Sequence, residues 1–287
     1  MAEAICDGIA TRYEVEGAGP PLLMYAPGGF DGNLEKWRTA GSYKRIGIFD
    51  RLARHHTCIA FDRREVGLSG GRLERVTWAH YVRQARGLLD HLKIERAHFM
   101  GGCMGCSPVA MFSVMNAERM LSMVLYWPVG GVRYRMSTHA RFAAHLAWLD
   151  DHSLEEVARL AKSAGAAHDK GFGADPRIGP WGAVIRHDDD FAERFAAQDP
   201  ARYRALVEGM ARTLVDRDTA PGPQPEDLMQ VDVPALIIPG KDPAHATSAA
   251  RYFEECLANN EYWDVPPEGQ TAETAPDRVL EFLEKFG

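Results

Sequence analysis

The sequence is poor in the features that mark membrane, secreted or nucleic-acid-binding proteins. It has no apolar run long enough to span a bilayer, and its first residues do not place a basic segment before an apolar one. Five cysteines in 287 residues are too few, and odd in number, for a disulfide framework. The formal net charge is -7 and the basic residues are scattered, which disfavours binding to nucleic acid. We therefore expect a cytoplasmic protein with free thiols and without membrane or nucleic-acid partners.

Clusters of metal-ligating side chains are also missing from the sequence. Three adjacent acidic residues at 188–190 are more typical of a solvated helix start than of a cation site. The sequence therefore implies no metal and no organic cofactor. We expect a small molecule as the binding partner, and the sequence leaves a homo-oligomer open.

What the sequence does contain is a series of short apolar runs separated by helical patterns, which is typical of a mostly parallel sheet. The runs cover residues 21–26, 57–62, 97–101, 121–127, 234–239 and 261–265. Between the fourth and fifth runs the strand signal disappears and only helical patterns remain. We therefore predict an α/β fold with a doubly wound sheet, formed by residues 1–131 and 218–287. Residues 132–217 are predicted to form a helical cap, inserted after the fourth strand.

A five-residue turn from Gly101 to Gly105 carries the strongest chemical signal. It has Cys103 at its centre, follows a predicted strand and precedes a helical pattern. A nucleophile on a tight strand-to-helix turn has strained backbone angles, so the residues two before and two after it must be small. The helix N-terminus would also stabilise a thiolate. We therefore predict that Cys103 is a nucleophile.

This turn and the motifs around it resemble those of the α/β-hydrolase superfamily, and of its lidded members in particular. The resemblance covers most of the chain outside the predicted cap. Residues 27–30, Pro-Gly-Gly-Phe, are similar to the family's oxyanion loop, with proline in place of histidine. Residues 62–69 resemble the family's Asp-x-Arg-Gly-x-Gly-x-Ser turn, with Glu65 at the usual glycine. The resemblance implies the α/β-hydrolase fold and a hydrolase with a cysteine elbow.

The family's other two catalytic positions are only partly preserved. Asp242 follows the fifth run, where the family places an acid, but Gln270 stands where the family places histidine, and no histidine follows His245. Glutamine cannot exchange a proton near neutral pH, so it cannot be a general base. His245 is the best substitute because it lies three residues after Asp242. The alternatives are His187 in the cap and, with weaker claims, Glu65 and Glu268.

The oxyanion hole and the substrate pocket can be assigned from the same landmarks. One donor should be the N–H of Met104, immediately after the nucleophile, and Gly28 or Gly29 should supply the second. Four further side chains are expected near the substrate: Phe30, Trp127, His187 and Gln270.

These residues predict an enzyme that attacks the activated carbonyl of an ester, thioester or lactone through Cys103 and forms an acyl-thioenzyme. One alternative is a catalytically altered member that binds a ligand, or acts as a lyase or acyltransferase, because fold does not fix function. Another is a thiol-disulfide oxidoreductase, because Cys103 and Cys106 form a C-x-x-C motif at a helix start. The sequence around them lacks the thioredoxin-like order of elements, which disfavours the second alternative.

Overall fold

All six predicted apolar runs form strands of a single sheet in the computed structural model, which describes residues 2–163 and 171–287. The eight strands lie in the order β1-β2-β4-β3-β5-β6-β7-β8, and all pairings from β4 to β8 are parallel. Their bounds are β1 Ala2–Cys6, β2 Ile9–Glu16, β3 Pro21–Tyr25, β4 Thr57–Phe61, β5 Ala97–Gly102, β6 Met120–Tyr126, β7 Ala235–Ile238 and β8 Asn260–Tyr262. The predicted fold class is confirmed, although β8 begins and ends earlier than the run at 261–265.

The sequence analysis missed the first two strands, which form an antiparallel hairpin at one edge of the sheet. The hairpin turns at Asp7 and Gly8, which have positive φ angles of 50° and 67°. An Asp-Gly pair between two strands is a strong signal for a two-residue turn of this kind. This signal is visible in the sequence and could have located the hairpin.

Helices cover both faces of the sheet because alternate strand residues point to opposite sides. Leu22 and Met24 belong to the core beneath α1–α3 and α14, whereas Leu23 and Tyr25 belong to the core shared with α4 and α5. The helix bounds in the sheet domain are α1 Lys36–Thr39, α2 Gly41–Ile46, α3 Ile48–Leu52, α4 Trp78–His91, α5 Cys106–Met115, α12 Pro225–Leu228, α13 Thr247–Cys256 and α14 Thr274–Leu283. Two short 3-10 turns cover Cys103–Gly105 and Ala117–Arg119.

Between β6 and β7 the described part of the chain is helical. The segments are α6 Val132–Trp148, α7 Leu154–Ser163, α8 Gly171–Ala174, a 3-10 turn at Pro176–Ile178, α9 Gly182–His187, α10 Asp189–Ala196 and α11 Pro200–Leu214. The cap predicted at 132–217 includes residues 164–170, which lie outside the described residues, and its status as a separate domain stays a prediction. No helix in residues 2–163 and 171–287 is both long and apolar enough to cross a membrane.

The register of the parallel strands brings four loops to one edge of the sheet. Tyr25 pairs with Gly101, Gly102 pairs with Tyr126, and Tyr126 pairs with Ile238. The loops that follow β3, β5, β6 and β7 therefore emerge side by side. This carboxyl edge is where open α/β sheets bind their ligands.

Candidate active site

The turn after β5 has the geometry of a nucleophile elbow. Cys103 has a positive φ of 55°, and its side chain is partly accessible. A Cβ atom at position 101 would lie 2.4 Å from the carbonyl oxygen of Gly105, and one at position 105 would lie 2.5 Å from that of Tyr25. Larger residues at these two positions would push the turn apart, which explains the small-x-Cys-x-small pattern.

The loop after β7 presents His245 to this elbow. One carboxylate oxygen of Asp242 accepts hydrogen bonds from the backbone N–H groups of Ala244 and His245, at 2.8 and 2.9 Å. The other lies 2.8 Å from Nδ1 of the His245 ring. Nε2 of His245 is shielded from solvent and bonds to no nitrogen or oxygen atom among the residues described here. Asp242 therefore shapes the loop and holds the imidazole by its Nδ1 edge.

Two further contacts fix where the His245 ring lies. The backbone of Gly130, just after β6, pairs with that of His245 in an isolated parallel bridge. The Trp127 ring packs against the imidazole, with centroids 5.7 Å apart. Gly240 leaves room for both side chains, because a Cβ there would lie 2.5 Å from the His245 Cβ and 3.3 Å from the Trp127 ring.

We expect Gly240→Ala to lower the turnover number by about tenfold or more, because the added methyl group must displace His245. The measurement is kcat with an activated ester, together with the melting temperature. Gly70→Ala is a matched control, since a Cβ at position 70 would lie 3.6 Å from its nearest neighbour, the backbone nitrogen of Ala10, which is an ordinary contact. A Gly240→Ala protein with unchanged kcat would show that the position of His245 does not limit turnover.

Cys103 and His245 stabilise each other's charged forms. Burial alone would raise the pKa of Cys103, but the charge of His245, a hydrogen bond to it and the N–H groups of Gly28 and Met104 lower that pKa below its usual value. Burial alone would lower the pKa of His245, but Cys103 and Asp242 raise it to about 9. These directions favour a thiolate–imidazolium pair at neutral pH.

The backbone N–H groups predicted to bind an oxyanion lie beside Cys103. The N–H groups of Met104 and Gly28 are directed at the Cys103 sulfur and contribute to its lowered pKa. Gly28 has a positive φ of 106°, and its carbonyl oxygen accepts a hydrogen bond from the buried guanidinium of Arg63 at 3.0 Å. Arg63 also donates to the carbonyl oxygen of Gly29 at 2.5 Å. Of the two candidate glycines, Gly28 is thus the one whose N–H contacts Cys103, and the Gly29 carbonyl holds the loop to Arg63.

Gln270 was predicted to lie near the substrate, but its side chain is engaged inside the protein. Its side chain is fully buried, and its amide oxygen accepts a hydrogen bond of 2.6 Å from Nε1 of Trp127. Its amide nitrogen donates to the carbonyl oxygens of Pro239 and Val265, at 2.9 and 2.8 Å. With these groups engaged inside the protein, Gln270 braces the loops that follow β6, β7 and β8.

Three other residues that were predicted to be pocket or base residues, Phe30, His187 and Glu65, have different surroundings. Phe30 is buried and packs edge-to-face against Phe142 of α6 and Phe172 of α8, so it joins the oxyanion loop to the cap. His187 is exposed, and its Nδ1 contacts the Ala183 carbonyl oxygen of its own helix at 2.8 Å. Glu65 is buried and paired with Arg64 at 2.9 Å. The described contacts of His187 and Glu65 therefore do not include Cys103.

Two tyrosines near Cys103 were missed. Burial first, and then the charge of Cys103, raise the pKa of Tyr134, which belongs to the first turn of α6. The Tyr43 hydroxyl donates to the carbonyl oxygen of Tyr126 at 3.1 Å, and burial and Cys103 also raise its pKa. Neither tyrosine is part of a motif, so only the tertiary fold identifies them.

The second cysteine of the C-x-x-C pattern points away from the site. Cys106 is fully buried, and its sulfur donates to the carbonyl oxygens of Gly101 and Tyr126, at 3.1 and 3.5 Å. Burial and the nearby Cys103 raise its pKa well above the usual value. Cys106 therefore has the surroundings of a structural thiol. Residues 2–163 and 171–287 contain no group of three or more side chains arranged to hold a metal ion.

Comparison with known proteins places these features in a family. The family model for the alpha/beta hydrolase fold matches residues 21–165, about half of the chain. A 2-hydroxymuconate semialdehyde hydrolase from Pseudomonas sp. strain CF600 is 29% identical over 218 residues, which are 73% of this chain and 69% of that protein. The acetyltransferase component of an acetoin cleaving system from Cupriavidus necator is 33% identical over 124 residues, 43% of this chain. The chain covers only 31% of that second relative.

Solved structures share the same architecture at low sequence identity. A meta-cleavage product hydrolase from Pseudomonas fluorescens IP01 has a TM-score of 0.61 at 17% identity, covering 100% of this chain and 98% of its own. An enol-lactonase from Burkholderia xenovorans LB400 also has a TM-score of 0.61, at 19% identity, covering 99% of this chain and 100% of its own. The family match confirms the superfamily predicted from the sequence, and these structures share its fold. The chain therefore belongs to the α/β hydrolase fold family.

Proposed function

We propose that this chain hydrolyses an activated carbonyl compound, an ester, thioester or lactone of small size, through an acyl-thioenzyme on Cys103. The proposal rests on one observation: the Asp242 carboxylate holds Nδ1 of His245 at 2.8 Å, and the same imidazole interacts with the Cys103 sulfur. A nucleophile, a base and a group that orients the base are thus assembled without a residue from the usual histidine position.

In the acylation step the Cys103 thiolate attacks the carbonyl carbon of the substrate. The carbonyl oxygen becomes an oxyanion, which accepts hydrogen bonds from the N–H groups of Gly28 and Met104. The tetrahedral intermediate collapses as the bond to the leaving group breaks, and the His245 imidazolium gives its proton to that group. This leaves a thioester on Cys103 and a neutral imidazole.

In the deacylation step the neutral His245 removes a proton from water, which attacks the thioester carbonyl. The same oxyanion donors stabilise the second intermediate, and its collapse releases the acid and returns the thiolate–imidazolium pair. Asp242 keeps the imidazole in the tautomer with Nε2 directed at the reaction. Because its side chain is 43% exposed, water competes for this hydrogen bond, and Asp242 should contribute less than His245.

The named activities of similar proteins support the substrate class. An enol-lactonase and an N-acyl homoserine lactone degrading enzyme share the fold, at 19% and 18% identity. The cap would close this site from above, since Phe142 and Tyr134 of α6 approach the oxyanion loop and Cys103. The cytoplasmic location, the cap as a domain and the homo-oligomer stay predictions from the sequence.

The test is direct detection of the acyl-thioenzyme. We expect mass spectrometry after an acid quench to find one acyl group on the peptide that contains Cys103, with a panel of short activated esters, thioesters and lactones. The adduct should disappear when substrate is exhausted and should be absent from Cys103→Ala. Turnover of the panel without any covalent adduct in rapid-quench samples, or an adduct on another residue, would contradict the proposal.

Ligand binding alone and disulfide exchange do not account for the same geometry, whereas acyl transfer to an acceptor other than water would use it as well. A protein that only binds a ligand has no need for a carboxylate-held histidine beside a thiolate. A thiol-disulfide oxidoreductase needs a second thiol available for exchange. Cys106 instead is fully buried and hydrogen-bonded to backbone oxygens on the far side of the turn.

A further inference from the structure

We infer that Gln270 and Trp127 form a positioning pair that holds the His245 imidazole against Cys103. The inference rests on the proposed function, because it assigns a task to two residues around its general base. Gln270 occupies the position where the family has its histidine. Here the residue at this position supports neighbouring loops through hydrogen bonds.

The amide of Gln270 can adopt only one orientation. Its nitrogen donates to two backbone carbonyl oxygens, those of Pro239 and Val265. Rotating the amide by 180° would place its oxygen against these two acceptors and its nitrogen against the Trp127 N–H, so three hydrogen bonds would be lost. The amide oxygen is therefore fixed towards Trp127. A histidine at this position could not satisfy all three groups, because it has only two ring nitrogens.

This fixed oxygen sets the plane of the Trp127 ring. Trp127 is 8% exposed and has a positive φ of 55°, so its backbone is in a conformation that side chains rarely adopt. The hydrogen bond of 2.6 Å from Nε1 to Gln270 holds one edge of the indole, and Tyr43 and Tyr126 pack against it with centroids 6.2 and 6.1 Å away. The indole is thus a rigid surface.

His245 needs such a surface because its other anchors leave the ring free to tilt. Asp242, at 43% exposure, holds only the Nδ1 edge. Trp127 packs against the imidazole at 5.7 Å between centroids and an angle of 52°. A tilt of the ring would move Nε2 away from the sulfur, and small displacements of a catalytic group can cost up to about a hundredfold in rate.

The experiment compares Trp127→Phe, Gln270→Met and the double variant. Trp127→Phe keeps an aromatic ring but removes the indole N–H, and Gln270→Met keeps the length of the side chain but removes its polar groups. Trp181→Phe is the matched control: like Trp127, Trp181 is buried and donates its indole N–H to an oxygen, here the carbonyl oxygen of Arg72 at 2.9 Å, but it lies between β6 and β7 in α9's N-terminal flank. Three quantities are measured: kcat and KM, the rate of Cys103 alkylation by iodoacetamide at neutral pH, and the melting temperature.

We expect both single variants to lower kcat by about tenfold with KM nearly unchanged, and to slow alkylation, while Trp181→Phe behaves as the unmodified protein. The double variant should be no slower than Gln270→Met, because both changes break the same chain of contacts. The inference is overturned if the two effects on kcat multiply, or if the melting temperature falls while kcat and alkylation stay normal. If Gln270→Met fails to fold, Trp127→Phe against Trp181→Phe decides the question.

Alkylation separates this inference from the proposed function, since it needs no substrate. If the unmodified protein reacts no faster than a free thiol at neutral pH, Cys103 is not activated and the proposed function fails. If it reacts fast and the variants react equally fast, only the positioning pair is excluded.

Discussion

Replacing Cys103 with alanine is expected to abolish hydrolysis, with a fall in kcat/KM of about a thousandfold or more, because no acyl-enzyme can form without the thiolate. The oxyanion donors Gly28 and Met104 would remain and could support only the residual rate of direct attack by water. The measurement is kcat/KM on the ester, thioester and lactone panel. Circular dichroism should show an unchanged fold, since Cys103 is partly accessible and its removal leaves little unfilled volume.

Cys106→Ala is the control for this prediction. Its sulfur lies on the far side of the turn and contacts backbone oxygens, so its loss should leave most of the activity in place. Loss of activity in Cys106→Ala with Cys103 intact would revive disulfide exchange as the function. Full activity in Cys103→Ala would remove the nucleophile assignment altogether.

The sheet could be predicted from the sequence because its signals are local. Each parallel strand except the edge strand β8 is a short apolar run that is buried on both faces, and periodicity identifies such runs without knowledge of the fold. The edge hairpin was missed for a different reason. Its second strand alternates between buried and half-exposed residues, so it lacks the continuous apolar run of the central strands.

The candidate site was only partly predictable, because some of its contacts join residues that are close in the sequence and others join residues that are far apart in it. The elbow is a five-residue pattern with a steric cause, and His245 lies three residues from its carboxylate partner, so both can be found by sequence reasoning. The contacts of Gln270 join residues up to 143 positions apart, and they depend on the neighbouring loops at the sheet edge. Sequence comparison could show that Gln270 is not a base, but its contact with Trp127 required the tertiary structure.

Replacing His245 with alanine is expected to lower kcat by about a hundredfold or more, which is within the usual range for loss of a general acid–base. Two steps would suffer: the leaving group would lose its proton donor, and the attacking water would lose its base. Asp242→Asn should have a smaller effect, because the Asp242 side chain is 43% exposed and water can partly replace its hydrogen bond. Added imidazole should partly restore activity to His245→Ala, as it can enter the space left by the side chain.

The pH profile distinguishes this role from simple packing. In the unmodified protein kcat/KM should rise as Cys103 ionises, at a pH below its usual pKa, and should fall above about pH 9, where His245 loses the proton that it gives to the leaving group. Removing His245 should delete the falling limb and move the rising limb to higher pH, because the thiolate loses its positive partner. A profile in His245→Ala that keeps both limbs would mean that another group transfers the proton.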